Sequence, residues 1–102
     1  MTMPVYVVAH IAVEDPEAYA EYQRHGLPTI APAGGRVIAG GGPVHLEGGE
    51  MPGGSAIVEF DTMEAALAWY HSDAYQAAIP LRQKASTAVM MGILPGLEPA
   101  PA

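Results

Sequence analysis

Four apolar runs rich in β-branched residues, divided by two helix-start signals, fix the order of elements in this chain and constrain its fold more than any other feature. The first run, Val5-Tyr6-Val7-Val8-Ala9-His10-Ile11-Ala12-Val13, follows a proline and reads as a buried strand interrupted only by His10. Asp15-Pro16-Glu17 then supplies an N-cap acid, a proline suited to the first helical position and an acid in the first turn. That helix carries Tyr19 and Tyr22 on one face and is expected to fade at His25-Gly26, with a looser turn through Thr29-Ile30-Ala31. After Gly34-Gly35, the run Arg36-Val37-Ile38-Ala39 is a second strand, with Val44 to Gly48 as its possible extension past a bulge. Gly49 to Gly54 reads as an exposed, mobile hairpin loop.

Ser55 to Phe60 is the third strand, and Asp61 or Thr62 caps a second helix with Met63, Ala66, Leu67 and Tyr70 on its apolar face. Ser72-Asp73 opens a further helical segment bearing Tyr75, Ala78, Ile79 and Arg82, which Pro80 is expected to kink or divide. Ser86 to Leu94 is the fourth strand, ended by Pro95. Strand, helix, strand, strand, helix, strand, with the helices on one sheet face, is the ferredoxin-like α+β plan. Residues 1–96 are expected to form one such domain and 97–102 a flexible, proline-rich tail. Several strands are apolar on both faces, so the second face needs a cover. A second copy laying its sheet against the first, as in a dimeric α/β barrel, is the expected one.

Charge and composition narrow the function. A net charge of -7 with only 4 Lys and Arg in 102 residues argues against nucleic acid and against anionic membrane surfaces. The absence of cysteine excludes disulfides, thiolate nucleophiles, thiolate zinc sites and iron–sulfur clusters. No run approaches the roughly 20 apolar residues of a membrane span, and Met1 to Pro4 has no basic leader. A cytoplasmic protein is the expectation. No nucleophile elbow, phosphate loop, dinucleotide fingerprint or helical histidine pair occurs, so no metal site is expected. His10 or His71 is the only formal choice for a haem ligand, and no cofactor is expected.

Three segments together resemble one family. They are Asp15-Pro16 with Tyr19 and Tyr22; Gly34-Gly35-Arg36 leading to Leu46-Glu47-Gly48; and Val58-Glu59-Phe60 through Ala65 to Ser72, Tyr75 and Leu81-Arg82. The pattern resembles the domain-of-unknown-function 1330 family of the dimeric α/β barrel superfamily, over nearly the whole chain up to about Gly96. The resemblance implies the dimeric barrel fold. It implies little chemistry, because the superfamily spans cofactor-independent monooxygenases, lactone isomerases, polyketide cyclases, haem enzymes and stress-response proteins. The chain departs from the family pattern in two places. Gly40 stands where many members carry a basic residue, and Glu50 to Ser55 lacks the Trp and Arg often found there. Those losses point to a more neutral or bulkier ligand.

Candidate site residues follow from their chemistry. Arg82 and Arg36 could clamp a carboxylate, enolate or phenolate with a planar fork, or form structural ion pairs. Glu59 either pairs with Arg82, staying ionised and orienting it, or moves a proton. His10 is a proton carrier or a hydrogen-bonded core histidine. Tyr22 and Tyr75 suit a pocket wall, whereas the spacing of Tyr19 and Tyr70 suits packing. Trp69 either lines the pocket or faces a partner subunit, and His71 lines a cleft mouth or caps a turn. The leading expectation is a cofactor-independent enzyme acting on an enolisable or phenolic molecule. Arg82 and Arg36 would stabilise negative charge, and Glu59 or His10 would move a proton. The alternatives are a non-catalytic small-molecule-binding or stress-associated dimer, and a purely structural dimer with no cavity between Glu59, Arg82 and His10.

Overall fold

The computed structural model describes residues 3–97. Strand β1 (Val5–Val13) is followed by helix α1 (Pro16–Gly26), two 3-10 turns at Leu27–Thr29 and Ala31–Ala33, and strands β2 (Arg36–Gly41) and β3 (Gly54–Phe60). Helices α2 (Met63–His71) and α3 (Asp73–Ala85) precede strand β4 (Ser86–Pro95). The four strands form one antiparallel sheet in the order β2-β3-β1-β4. The α+β ferredoxin-like plan read from the sequence is the one observed. The tail expected over residues 97–102 lies, from residue 98 on, outside the described residues.

Strand parity decides what each residue can reach. Val5, Val7, Ala9 and Ile11 are buried under the helices, so Tyr6, Val8 and His10 face the other way. Register carries this across the sheet: Val58 pairs with Val7 and Phe60 with Val5 on the helix side, while Glu59 pairs with Tyr6 on the open side. The core is a cluster of Val5, Val7, Val58, Phe60, Trp69, Tyr75 and Ala78, closed by Tyr22 and Ile30 from α1 and the turns. Phe60 is fully buried and stacks against Trp69, with ring centroids 5.5 Å apart. Gly35 lies on Phe60 so closely that a Cβ there would stand 2.6 Å from the ring. The preceding Gly34 turns the chain into β2 with φ of 90°, a conformation suited to glycine.

The caps act as the sequence implies. Asp15 accepts from the Ala18 amide at 3.1 Å, Thr62 rather than Asp61 caps α2, and Ser72 caps α3. Three expectations are corrected. Val44 to Gly48 does not extend β2, which ends at Gly41; with so many glycines nearby, the segment has no neighbouring strand to pair with. Pro80 does not divide its helix: it sits on the exposed face of α3, where the Gln76 carbonyl it leaves free is open to water. On α2 the buried positions are Ala66 and Trp69, whereas Met63 and Leu67 are exposed.

Candidate functional site

A cavity of about 430 Å³ lies between the helix side of the sheet and α1, α3 and the first 3-10 turn. Its floor is Val7, Ala9, Ile11, Ala56 and Val58, and its roof includes Tyr19, Tyr22, Leu27 and Ile30. Trp69, Tyr75 and Met91 close one end, and Gly40 to Gly42 with Gly53 and Gly54 border the other. Such a volume suits an organic molecule of moderate size, held mainly by apolar contact. None of the lining residues is Asp, Glu, His, Lys or Arg.

Polarity is concentrated at the closed end. Tyr22 and Tyr75 hydroxyls are 2.8 Å apart, and Arg82 Nη1 donates to the Tyr75 oxygen at 2.8 Å. Tyr75 is 1% exposed and Arg82 6%. A guanidinium can only donate. The Tyr75 oxygen therefore accepts from Arg82, and between the Tyr75 and Tyr22 hydroxyls either one can donate. With Tyr75 as the donor, the Tyr22 proton is free for a ligand in the cavity, and the upstream charge polarises the chain of donors. Burial, and then the neighbouring Tyr75, push the Tyr22 phenol well above the usual phenol range; burial followed by Tyr22 raises Tyr19. Both are neutral phenols at physiological pH, able to donate. Burial works against the Arg82 charge, but the Tyr75 and Tyr22 oxygens outweigh it and the guanidinium stays above its ordinary value.

Local sequence explains the placement. Ser72 closes α2 and opens α3, donating to the Trp69 carbonyl at 2.6 Å and accepting from the Tyr75 amide. One serine thus fixes the two aromatic residues that end the cavity. The Trp69 indole donates to Thr29 Oγ1 at 2.9 Å, and Thr29 in turn donates to the Gly26 carbonyl at 2.6 Å. Gly26 leaves room for the Tyr22 ring, since a Cβ there would stand 3.1 Å from it.

Other expected site residues stand elsewhere. Arg36 does not reach the cavity: its Nε and Nη2 bond Glu59 at 3.0 and 2.5 Å, and Nη2 also reaches Asp61 at 3.2 Å. The expected pairing of Glu59 with Arg82 is therefore corrected, because strand parity puts Glu59 on the opposite sheet face from α3. His10 shares that face, where its Nδ1 lies 2.9 Å from Ser55 Oγ, its cross-strand neighbour. Among the described residues, Arg82 lines the edge cavity beside β4 and His10 a different one on the open face, and the inter-layer cavity is lined by none of Glu59, Arg82 and His10. Trp69 is 3% exposed and packs on Phe60 and Tyr75, so it does not face outward toward a partner. His71 is exposed, on a second cavity beside β4. Tyr19, assigned to packing by its spacing, also lines the first cavity, as does Gln23. Tyr19 lies three residues before Tyr22 and four before Gln23, a weak signal, since the same spacing serves packing. Among the described residues no group of three His, Asp or Glu could hold a metal, and no helix is long and apolar enough to cross a membrane.

Solved structures share this architecture. A Rhodopseudomonas palustris protein of unknown function is similar with a TM-score of 0.78 and 23% identity, over 97% of this chain and 86% of that one. SnoaB, a cofactor-independent oxygenase from Streptomyces nogalater, is similar with a TM-score of 0.70 and 13% identity, over 98% of this chain and 99% of that one. A Caulobacter crescentus protein, provisionally named an antibiotic biosynthesis monooxygenase, is similar with a TM-score of 0.65 and 18% identity, over 95% and 92%. These likenesses establish the ferredoxin-like α+β fold. None of the curated proteins matches the chain in sequence. The family model that does match spans residues 4–96, and the chain belongs to that family, the Domain of unknown function (DUF1330).

Proposed function

We propose that this protein binds an enolisable or phenolic organic molecule in the cavity between sheet and helices and acts on it without a tightly bound cofactor. The observation that carries the reading is the wall of the cavity: apolar nearly throughout, with one polarised donor, the Tyr22 hydroxyl, backed by Tyr75 and Arg82. A hydrogen bond aimed at a developing enolate or phenolate stabilises the charge where it forms. Because no lining side chain is a base at neutral pH, the substrate has to be acidic enough to give up its proton to water. Polyphenols and 1,3-dicarbonyl compounds meet that requirement. Isomerisation, cyclisation and cofactor-independent oxygenation all begin from such an anion. The likeness to SnoaB supports this direction. His10 and Glu59 act on the other sheet face, in structure rather than proton transfer.

The same missing base favours a second reading, a binder that holds such a molecule without turnover. In either case the protein works as a homodimer. The open sheet face presents Tyr6, Val8, Ile57, Met90 and Leu94, with Met90 47% and Leu94 58% exposed, and a second copy covers them.

Thermal unfolding with a panel of phenols and 1,3-diketones tests the reading. A ligand at about 100 times its Kd adds roughly 2.7 kcal/mol, a rise on the order of 10 °C for a chain of this size. The shift should shrink in Tyr22→Phe and persist in Arg36→Ala. The reverse pattern would move the site to the open face. Product formed from a stabilising compound separates enzyme from binder.

A further inference from the structure

Arg82 stands between two cavities. Its Nη1 reaches Tyr75 on the wall of the inter-layer cavity, while its own side chain lines a cavity of about 540 Å³ that opens beside the edge strand β4, with Tyr70, His71, Leu67 and Met91. Its guanidinium has no carboxylate partner among the described residues. Among the described residues Nη1 donates to the Tyr75 oxygen and also reaches Met91 Sδ at 3.7 Å, with the Tyr22 oxygen close by in the same network. Nε and Nη2 make no hydrogen bond among the described residues, yet neither is sealed off without a partner. They therefore reach open space, and the cavity that Arg82 lines is the edge cavity.

That arrangement is unusual for a cation. Buried charges are ordinarily paired. Here Arg24 bonds Glu21 and Arg36 bonds Glu59 and Asp61, and Lys84 is exposed to water. Arg82 alone is buried and unpaired among the described residues. In a chain of net charge -7, the general field repels anions. An anion held here must be held by this one local cation.

We propose that the edge cavity is a second ligand site, specific for an organic carboxylate with an aromatic or aliphatic body. The carboxylate takes the free N–H groups of Arg82 as a planar fork takes a planar acid. Tyr70, Leu67 and Met91 hold the body, and His71 stands at the mouth. The inference does not rest on the reading of the inter-layer cavity. The two cavities share a wall of Val7, Trp69 and Met91, and Arg82 touches the inter-layer one only through Tyr75.

The test uses benzoate as the probe and its neutral isostere benzamide as the control. Binding is followed by the fluorescence of Trp69, the single tryptophan, which borders both cavities. Benzoate should bind and benzamide should not at matched concentration. Arg82→Gln should weaken benzoate at least about 30-fold, the usual consequence of removing one partner of a buried charge pair. Because that variant also disturbs Tyr75, the deciding variant is Leu67→Glu. Leu67 lines the edge cavity and is 44% exposed, so the substitution is tolerated by the fold. A carboxylate there should weaken benzoate about 10-fold or more by repulsion and by competing for Arg82, while Leu67→Gln keeps wild-type affinity. Val37→Glu, which puts the same charge on the wall of the inter-layer cavity at a position 51% exposed and away from Arg82, should leave benzoate binding unchanged. Equal binding of benzamide, no binding of benzoate, or wild-type affinity in Leu67→Glu would each overturn the proposal. Loss of benzoate binding in Val37→Glu would place the anion in the inter-layer cavity and overturn it too.

Discussion

Replacing Tyr75 by phenylalanine removes a single oxygen, and the structure predicts a large penalty for it. That oxygen accepts from Arg82 at 2.8 Å and lies 2.8 Å from the Tyr22 hydroxyl, in a side chain 1% exposed. The ring stays, so the stacking on Trp69, with centroids 4.2 Å apart, is retained. The loss is therefore one hydrogen bond to a charged donor, about 1.5–3 kcal/mol, and one between neutral groups, about 0.5–1.5 kcal/mol. A total of roughly 2–4 kcal/mol corresponds to a fall in Tm on the order of 10–20 °C. Tyr22→Phe leaves Arg82 bonded to Tyr75 and should cost only about 1 kcal/mol, roughly 5 °C. In the double variant the Tyr22 hydroxyl is already gone, so its cost should fall below the sum of the two. Urea and thermal unfolding of the three variants measure this. Equal, small effects of both single substitutions, adding without coupling, would refute a relay from Arg82 through Tyr75 to Tyr22.

Three further outcomes follow from the same geometry. Gly35→Ala drives a methyl into the Phe60 ring, 2.6 Å from the nearest atom, and should destabilise by about 1–3 kcal/mol, read as a lower urea midpoint. Tyr22 and Tyr19 have folded pKa values above the unfolded 10.0, so the stability they carry is complete below pH 10 and declines as pH rises past it. A phenolate absorbance titration of the folded protein should leave these two unionised at a pH where a free phenol has titrated, and their ionisation together with a free phenol would contradict this. Leu94→Asp, on the open sheet face, should convert a dimer to monomers in sedimentation experiments without loss of helical circular dichroism.

What could be read from the sequence and what could not divides along physical lines. Local signals were sufficient where the chain itself supplies the partner. Asp15, Thr62 and Ser72 cap helices through amides three residues away, so strand and helix order was legible. Tyr22 and Tyr75 were singled out for a pocket wall and both line the inter-layer cavity, whereas Arg82, singled out because few cations exist, reaches that cavity only through Tyr75. The partner of Glu59 was not legible. Which face a strand residue takes depends on where the helices lie, and a period of two gives parity without direction. Arg36 and Glu59 meet only because β2 and β3 pair in register. The burial of Trp69, with Leu67 outward, depends likewise on the tilt of α2 against Phe60 and Tyr75, which the pattern of a nine-residue helix does not encode.

The central claim is that the inter-layer cavity holds an enol or phenol against the Tyr22 hydroxyl. A crystal structure with the phenol or diketone that stabilises the protein most tests it directly. The account predicts the ligand between sheet and helices, its oxygen within hydrogen-bonding distance of Tyr22 and its body on Val7, Ala9 and Val58. A ligand seated instead on the open sheet face beside His10 and Glu59, or one with no oxygen near Tyr22, would contradict it.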